Sequence, residues 1–352
     1  MKSDAVLRSP VCYYDDQNNI YINRLDAVRS GNPCKFYYYD DVFSRLDWST
    51  EPHESLTELY KQRAQQIRDQ YEHVVLCYSG GIDSTTMLET FYYNNIHIDE
   101  ILVVGAISQD ARFGSDQNHN ADLYYNVFPT LNSMSLPNTK ITVIDYTKHF
   151  DDINKFTLLQ KYGADYVEHI GIRTSVHNLL WYDLDKFMGH KKYTAYVMGK
   201  EKPIIRYDTL INRYYACFYD ISYTDYGNRY EYSTGNRINF YSEPDAFRVM
   251  LKQYYMIKSA AEYMRPQHEA FGVNIFDDYV ERIKPIIYNL KTPLQHQSLK
   301  SRSTYLSARD MFMIDKKDSD IYRIYSNAVY NLNKTVDVSK KIVFESKPYY
   351  LS

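Results

Sequence analysis

The clearest pattern of apolar and polar positions lies on the two sides of Gly80 and Gly81. Residues 74–78 form a short apolar run rich in β-branched side chains, which is typical of a strand buried on both faces. The two glycines end this run, and beyond them Met87 and Phe91 stand at the spacing of one helix face. The pattern predicts a strand, a glycine-rich turn and a helix that packs back on a sheet.

Further apolar runs alternate with helical patterns along the chain. The next run begins about one crossover helix after the turn, the distance that a parallel strand–helix–strand unit needs. Strands are predicted at 74–78, 101–106, 140–146 and 193–198, and helices at 55–71, 85–95, 121–131, 148–162 and 175–188. This alternation predicts an α/β fold with a doubly wound parallel sheet, whose ligand lies at the carboxyl ends of the strands.

The segments on either side of this core have a different pattern. The N-terminal segment mixes aromatic runs with turn residues and predicts short strands near 20–22 and 36–39. After Pro203, antiparallel strands are predicted at 204–207, 214–222 and 229–241, and a helix that begins after 242–246 and ends near residue 264. We therefore expect three parts: an N-terminal extension (1–54), an α/β core (55–205), and a mixed α+β C-terminal region (206–352) for an acceptor substrate or an interaction.

Composition and charge limit the partners that this fold is expected to have. The 352 residues are 44% hydrophobic and 24% charged, with a net charge of −3 and a pI near 6.4, so bulk charge indicates neither nucleic acid nor membrane. A local basic groove that binds nucleic acid is the alternative that bulk charge does not exclude. The N-terminus shows no signal-peptide core, and no stretch approaches the roughly 20 apolar residues of a membrane span. A cytoplasmic protein is expected.

Cysteine and tyrosine carry further information. The four cysteines lie far apart without a C-x-x-C pair, which favours reduced structural residues over a zinc site, an iron–sulfur site or a disulfide framework. The chain contains 39 tyrosines, often in runs. We interpret them as aromatic residues of the core and its rim; the alternative is a surface on which nucleic-acid bases stack.

The candidate chemistry lies in the turn after the first apolar run, Ser79-Gly80-Gly81-Ile82-Asp83-Ser84. A helix that starts directly after such a turn points its unpaired N–H groups and positive dipole end at the loop, where an anion binds readily. The glycines leave room for backbone N–H groups to approach phosphate oxygens, and both serines can donate hydroxyl groups. Phosphate would repel Asp83 unless a cation such as Mg²⁺ lay between them, so Asp83 is expected either to bind Mg²⁺ or to fix the loop.

This hexapeptide, between its strand and its helix, closely resembles the signature of the PP-loop ATP pyrophosphatases. That superfamily has a HUP-like, adenine nucleotide α-hydrolase-like fold and includes asparagine, GMP and NAD synthetases, tRNA-modifying enzymes and PAPS reductase. The resemblance implies that residues 78–84, from Tyr78 to Ser84, bind ATP and that Asp83 binds Mg²⁺ and takes part in catalysis. It also implies that adenine lies against Val104 and Gly105 at the end of the second strand, where a plain buried strand is the alternative.

A second loop, from Gly199 to Pro203, follows the predicted strand at 193–198. Superfamily members often place a glycine and then charged residues here. The resemblance implies that Gly199 and Glu201 contact the nucleotide, and that Lys200 and Lys202 neutralise phosphate charge during catalysis. A solvated turn is the alternative. The loop also resembles a Gly-x-[Asp/Glu]-Lys-Pro motif of uncharacterised, often phage-encoded PP-loop proteins, which would place the protein in the host cytoplasm.

The sequence departs from the named subfamilies. It lacks the paired cysteines of tRNA sulfur transfer, the C-terminal cysteine motif of PAPS reductase and the Gly-Glu-Gly-x-Asp-Glu run of asparagine synthetase. The resemblance thus implies an ATP-dependent, AMP-forming enzyme that adenylates a carbonyl or carboxylate acceptor, releases pyrophosphate and transfers the acceptor to a nitrogen nucleophile. Two alternatives stay open: a non-catalytic nucleotide-binding or sensing viral accessory protein, and a nucleobase- or tRNA-modifying enzyme. The sequence also leaves open whether the protein forms a homo-oligomer.

Overall fold

The computed structural model describes thirteen parts of the chain: residues 11–21, 27, 30–105, 112–113, 117–118, 122–145, 193–199, 204–218, 236–271, 284–288, 291, 342–343 and 345–352. Three groups of predictions lie outside the described residues. These are the helices at 148–162 and 175–188, the turn near residue 227, and the loop residues Lys200, Glu201 and Lys202.

The described strands are β1 (Val11–Asp15), β2 (Ile20–Tyr21), β3 (Cys34–Tyr38), β4 (His73–Cys77), β5 (Glu100–Gly105), β6 (Arg112–Phe113), β7 (Gln117–Asn118), β8 (Lys140–Asp145), β9 (Thr194–Met198), β10 (Ile204–Asp208), β11 (Arg213–Cys217), β12 (Asn236–Asn239), β13 (Ile342–Val343) and β14 (Tyr349–Tyr350). The described helices are α1 (Asp40–Phe43), α2 (Leu56–Gln70), α3 (Ile82–Tyr93), α4 (Phe128–Ser133), α5 (Phe247–Phe271) and α6 (Lys284–Ile287). A π-helical turn, Asp122–Val127, leads directly into α4, and a 3-10 turn, Pro244–Ala246, leads into α5.

The central sheet confirms the predicted α/β architecture. Its five strands are all parallel and lie in the order β12-β9-β4-β5-β8. The chain moves outward from β4 through β5 to β8, and then returns to the opposite side of β4 as β9. The connection therefore reverses direction between β4 and β9, and the carboxyl ends of these two strands border the crevice where open α/β sheets bind ligands.

Helices cover one face of this sheet because the strands place alternate apolar side chains there. Leu76, Ile101 and Val197 are completely buried on this face, and α3 contributes Met87 and Phe91 to the same core. All residues of α3 from Ser84 to Phe91 are buried, which is typical of a helix enclosed by protein on all sides. Helix α2 packs on α3 and α5, so the helix that starts at the glycine-rich turn is held rigidly.

Strand β12 corrects one prediction. The segment 229–241 was expected to form an antiparallel strand of the C-terminal region, but Asn236–Asn239 pairs in parallel with β9 and extends the central sheet. An apolar run indicates a strand without indicating its partner, and here Ile238 is buried beside Val197 in the sheet core. The prediction was right for β10 and β11, which form an antiparallel pair.

The end of the chain adds a strand to each of two smaller sheets, one of which is the N-terminal sheet β13-β3-β1-β2. Strand β13 pairs in parallel with β3 of the N-terminal sheet, and β14 pairs with β11. Tyr349 donates a hydrogen bond to the Asp40 carboxylate at 2.7 Å and stacks on Trp48 at 4.5 Å between ring centroids. The N-terminal extension therefore packs against the end of the chain and against α5, whose Phe247 also contacts Trp48.

Described tyrosines and cysteines contribute mainly to the interior. Tyr13, Tyr38 and Tyr254 are among the largest fully buried side chains, as expected for core aromatic residues. All four cysteines lie in described segments and are free, with no disulfide between them. Among the described helices, none combines the length and the apolar character needed to cross a bilayer.

Candidate functional site

The loop Ser79–Ser84 lies at the carboxyl end of the central strand β4, beside the point where the sheet reverses direction. Gly80 has a φ of +76°, a conformation that glycine adopts without the steric cost of a side chain. Gly81 is extended and begins α3, with its carbonyl accepting the first helical hydrogen bond from the Thr85 N–H at 2.9 Å. The α3 N-terminus therefore faces a loop with a left-handed residue, the geometry from which backbone N–H groups form anion-binding concavities.

The two serines of the loop contact each other across its base. Their hydroxyl oxygens lie 3.1 Å apart, and the Ser84 oxygen also accepts a hydrogen bond from the Ser79 N–H at 3.2 Å. Ser84 donates to the Gly81 carbonyl at 3.1 Å. These contacts fold the loop back on itself and hold both hydroxyl groups at the mouth of the helix.

Gly199 brings the end of strand β9 against this loop. A Cβ atom at residue 199 would lie 3.0 Å from the Asp83 carbonyl carbon and 3.0 Å from the Ser84 nitrogen, closer than side-chain carbons normally approach a backbone. Only glycine permits this approach without a shift of the backbone. Two loops that are far apart in sequence thus meet at one place, and the predicted site residue Gly199 lies in contact with Asp83 and Ser84.

Asp83 is held from two sides by the C-terminal part of the chain. The Lys284 ammonium lies 2.9 Å from Asp83 Oδ2, and the side chains are 23% and 19% exposed, respectively. The Tyr241 hydroxyl donates to the Asp83 carbonyl at 2.7 Å. Burial raises the pKa of Tyr241 well above its ordinary value, so this hydroxyl stays protonated and donates at neutral pH.

A network of buried groups fixes the short helix α6, which carries Lys284. The Tyr60 hydroxyl of α2 donates to the Ile287 carbonyl at 2.7 Å and accepts from the Gln253 amide of α5 at 2.8 Å. Tyr288 packs edge-on against Tyr241, with ring centroids 5.4 Å apart. The two contacts on Asp83 therefore belong to one packed unit, which α2 and α5 support.

An ionic cluster anchors the segment that carries Tyr241. Arg63 of α2 is 1% exposed and lies 3.3 Å from Glu243 and 2.7 Å from Asp245. It also donates to the carbonyls of Asn239 and Phe240 at the end of β12. Burial raises the pKa of the Glu243 carboxyl to about 7, although the Arg63 charge and the Asn239 N–H oppose this shift.

Buried polar side chains of the π-helical turn and α4 also contact the loop and its junction with β4. The Asn126 amide, from the π-helical turn, donates to the Gly80 carbonyl at 3.2 Å. One helical turn later, Thr130 lies near the Tyr78 hydroxyl, which is 3.3 Å from the Thr85 hydroxyl. The junction between β4 and α3 thus has polar contacts besides those that Lys284 and Tyr241 make with Asp83.

The end of strand β5 lies beside the loop, as the sequence predicted. The Tyr78 N–H donates to the Leu102 carbonyl at 2.8 Å, so β5 continues past this point with Val104 and Gly105 at the same edge of the sheet. Val104 is partly buried. Burial raises the pKa of the nearby Cys77 thiol to about 12, with a smaller opposing effect of Arg237, so a thiolate nucleophile is not expected here.

The structure brings most of the predicted site residues together and adds three that the sequence did not indicate. Residues 78–84, 104–105 and 199 all lie at the carboxyl edge of β4, β5 and β9. The additional residues are Asn126, Tyr241 and Lys284. None lies in a motif that predicts contact with the loop; Tyr241 is the last residue of the predicted strand at 229–241.

The donor set fits a nucleotide phosphate and a divalent cation. Within the described segments, no group of three or more His, Cys, Asp or Glu side chains could hold a metal ion. Mg²⁺ commonly takes one or two protein carboxylates and completes its coordination with substrate phosphates and water. Asp83 could supply one such carboxylate at the mouth of the loop. Ser79 is exposed and offers its hydroxyl group to phosphate oxygens, whereas the buried Ser84 would first have to turn its hydroxyl group from the Gly81 carbonyl.

Comparison with known proteins adds no functional assignment. No family model and no curated protein sequence matches the chain. One solved structure that aligns with part of it is the NH3-dependent NAD synthetase from Campylobacter jejuni subsp. jejuni in complex with the nitrate ion, at 15% sequence identity and a TM-score of 0.23. The alignment covers 38% of this chain and 49% of that one, so the chain spans about half the length of this neighbour. Similarity at this level carries no argument about activity.

Proposed function

We propose that the protein binds ATP with Mg²⁺ at residues 79–84 and transfers AMP to an acceptor, with release of pyrophosphate. One observation carries this proposal: the Ser-Gly-Gly-Ile-Asp-Ser loop lies at the sheet's reversal point, at the start of a buried helix, and is packed against Gly199. An anion site of this kind suits the β- and γ-phosphates. The resemblance to PP-loop ATP pyrophosphatases supports cleavage between the α- and β-phosphates.

Each loop residue has a role in this proposal. The N–H groups at the start of α3 and the hydroxyls of Ser79 and Ser84 bind phosphate oxygens. Mg²⁺ would neutralise charge on the phosphates, with Asp83 as its protein ligand. Lys284 exchanges its contact with Asp83 for a phosphate oxygen, because the carboxylate is then engaged and the ammonium remains close by.

The proposed reaction has two steps. A carbonyl or carboxylate oxygen of the acceptor attacks the α-phosphorus, the new P–O bond forms, and the bond to the β-phosphate oxygen breaks with its electrons leaving on pyrophosphate. A nitrogen nucleophile then attacks the activated carbon, loses a proton, and displaces AMP as a C–N bond forms. The protein contributes by positioning the groups and offsetting charge.

The other predicted site residues, at 104–105 and 199–202, have roles in the same proposal. Val104 and Gly105 contact adenine through their backbone, and Gly199 and Glu201 border the nucleotide. Lys200 and Lys202 close over the phosphates as further cations. The acceptor, a small molecule or a nucleobase, binds on the side formed by the C-terminal region.

Product analysis tests the proposal directly. The protein is incubated with ATP, Mg²⁺ and a panel of carboxylate, amide and nucleobase acceptors with ammonia as the nucleophile, and nucleotides are separated by chromatography. We expect AMP and pyrophosphate, and at least a hundredfold loss of both in Asp83→Ala. Asp69→Asn is the control, because Asp69 is exposed on α2 and contacts only Gln65 among the bonds described. Formation of ADP and phosphate, or products unchanged by Asp83→Ala, would contradict the proposal.

One contact favours a second candidate, a nucleotide-binding protein without turnover. The ion pair with Lys284 occupies the carboxylate that Mg²⁺ would need, and a permanent pair would leave ATP bound and intact. Calorimetry that shows ATP binding, together with no AMP or pyrophosphate for any acceptor of the panel, would favour this candidate.

A further inference from the structure

We propose that Asn126 is a positioning residue for the phosphate-binding loop: its side-chain amide orients the Gly80–Gly81 peptide so that the Gly81 N–H faces the phosphates. This inference rests on the proposed function, because it assigns a role to a residue outside the loop in the binding of the β- and γ-phosphates. It concerns a contact that no sequence motif indicates.

The orientation follows from the planarity of the peptide bond. Asn126 Nδ2 lies 3.2 Å from the Gly80 carbonyl oxygen, so this carbonyl points towards the π-helical turn. The peptide is trans, and the C=O and N–H of a trans peptide point in opposite directions. The Gly81 N–H, at the start of α3, is therefore directed away from Asn126.

Glycine at residue 80 makes such an external contact necessary. Gly80 has a φ of +76°. Because glycine has no side chain, its backbone adopts this conformation and several others about equally readily, so residue 80 does not favour this one by itself. The Asn126 side chain is 2% exposed, and water therefore competes little for the Gly80 carbonyl. A single buried donor can then determine which way the peptide faces.

The local structure around Asn126 is suited to this role. The turn Asp122–Val127 is π-helical, a rare conformation that occurs frequently at functional sites, and it continues into α4. Thr130, one turn further, lies near the Tyr78 side chain at the end of β4. The buried side chains of Leu123 and Val127 anchor the turn in the core. The donor is thus held by packing that does not depend on the loop.

Two variants separate the loss of the donor from the addition of charge. Asn126→Asp keeps the shape of the side chain but replaces the donor by an acceptor, and Asn126→Ala removes the donor without adding charge. The control is the same pair of substitutions at Asn94, whose amide donates to the Thr90 carbonyl at 2.8 Å at the far end of α3. Binding of ATP and of AMP, each with Mg²⁺, is measured by calorimetry, and unfolding is measured by thermal denaturation.

We expect both Asn126 variants to bind ATP about tenfold or more weakly, while AMP, which lacks the β- and γ-phosphates, binds as it does to the wild-type protein. Both Asn94 variants should bind both nucleotides normally. The inference is overturned if both Asn126 variants bind ATP normally, if ATP and AMP weaken equally, or if only Asn126→Asp has an effect, since that would be charge repulsion alone. A wild-type protein that binds no ATP would instead overturn the proposed function, and the inference with it.

Discussion

The ammonium group of Lys284 lies 2.9 Å from the Asp83 carboxylate, although 201 residues separate them in the sequence. This ion pair joins the residue that the PP-loop resemblance assigns to Mg²⁺ with a cation from the C-terminal part of the chain. Tyr241 contacts the carbonyl of the same aspartate. Within the described segments, Asp83 is therefore a point at which the C-terminal region contacts the loop Ser79–Ser84.

Replacement of Lys284 by Met should affect binding far more than folding. The ion pair is partly exposed, and such pairs contribute less than about 1 kcal/mol to the free energy of unfolding. We expect ATP affinity to fall about tenfold or more, because one charge-assisted contact to phosphate is lost. Calorimetry and thermal unfolding measure the two effects. Lys258→Met is the control, since Lys258 pairs with Glu262 within α5. Normal ATP binding by the Lys284→Met variant would disprove the proposed role of Lys284.

Alanine should have different effects at Gly199 and at Gly81. At Gly199 the new Cβ would contact the backbone of Asp83 and Ser84, and we expect the free energy of unfolding to fall by about 1–3 kcal/mol. At Gly81 the Cβ would meet only the Ser79 hydroxyl at 3.6 Å, so the loss should stay below about 1 kcal/mol while ATP affinity falls. Urea unfolding and calorimetry measure these effects. Equal stability losses would show that the close approach at Gly199 is not a tight constraint.

Tyr241→Phe tests whether the contact on the Asp83 carbonyl matters for binding. The variant loses the partly buried hydrogen bond to the Asp83 carbonyl, which should cost about 1 kcal/mol of unfolding free energy. We also expect ATP affinity to fall severalfold, because the first turn of α3 loses a support. Tyr254→Phe is a matched control: its buried hydroxyl donates to the Cys217 carbonyl at 3.2 Å, away from the loop. If the two variants weaken ATP binding alike, the effect is not specific to the site.

The Glu243 carboxyl should make stability depend on pH. Its pKa rises from 4.5 to about 7 in the folded state, so between these values the folded protein holds more protons than the unfolded chain. This contribution is fully present below pH 4.5 and is lost as the pH rises through 7. Relative to Glu243→Gln, the wild-type protein should lose about 2–3 kcal/mol of unfolding free energy between pH 5 and pH 8, measured by urea unfolding. A constant difference between the two proteins would contradict the raised pKa.

The local sequence was sufficient to predict the strand, turn and helix around Gly80. A continuous apolar run, two glycines and the spacing of Met87 and Phe91 specify β4 and α3 through backbone conformations and burial patterns that act over a few residues. The alternation of such units also predicted the parallel sheet and the edge at which the loop lies. These features follow from interactions between residues that are close together in the sequence.

Only the tertiary structure determined which distant residues meet the loop. Strand β12 pairs with β9 in parallel, Lys284 and Tyr241 reach Asp83, and Asn126 reaches Gly80, and none of these contacts has a local sequence signal. A single lysine or asparagine looks the same in the sequence whether it lies on a solvated surface or against a functional loop. Its partner is selected by the packing of whole helices and strands, because the free energy of burying their apolar faces far exceeds that of one polar contact.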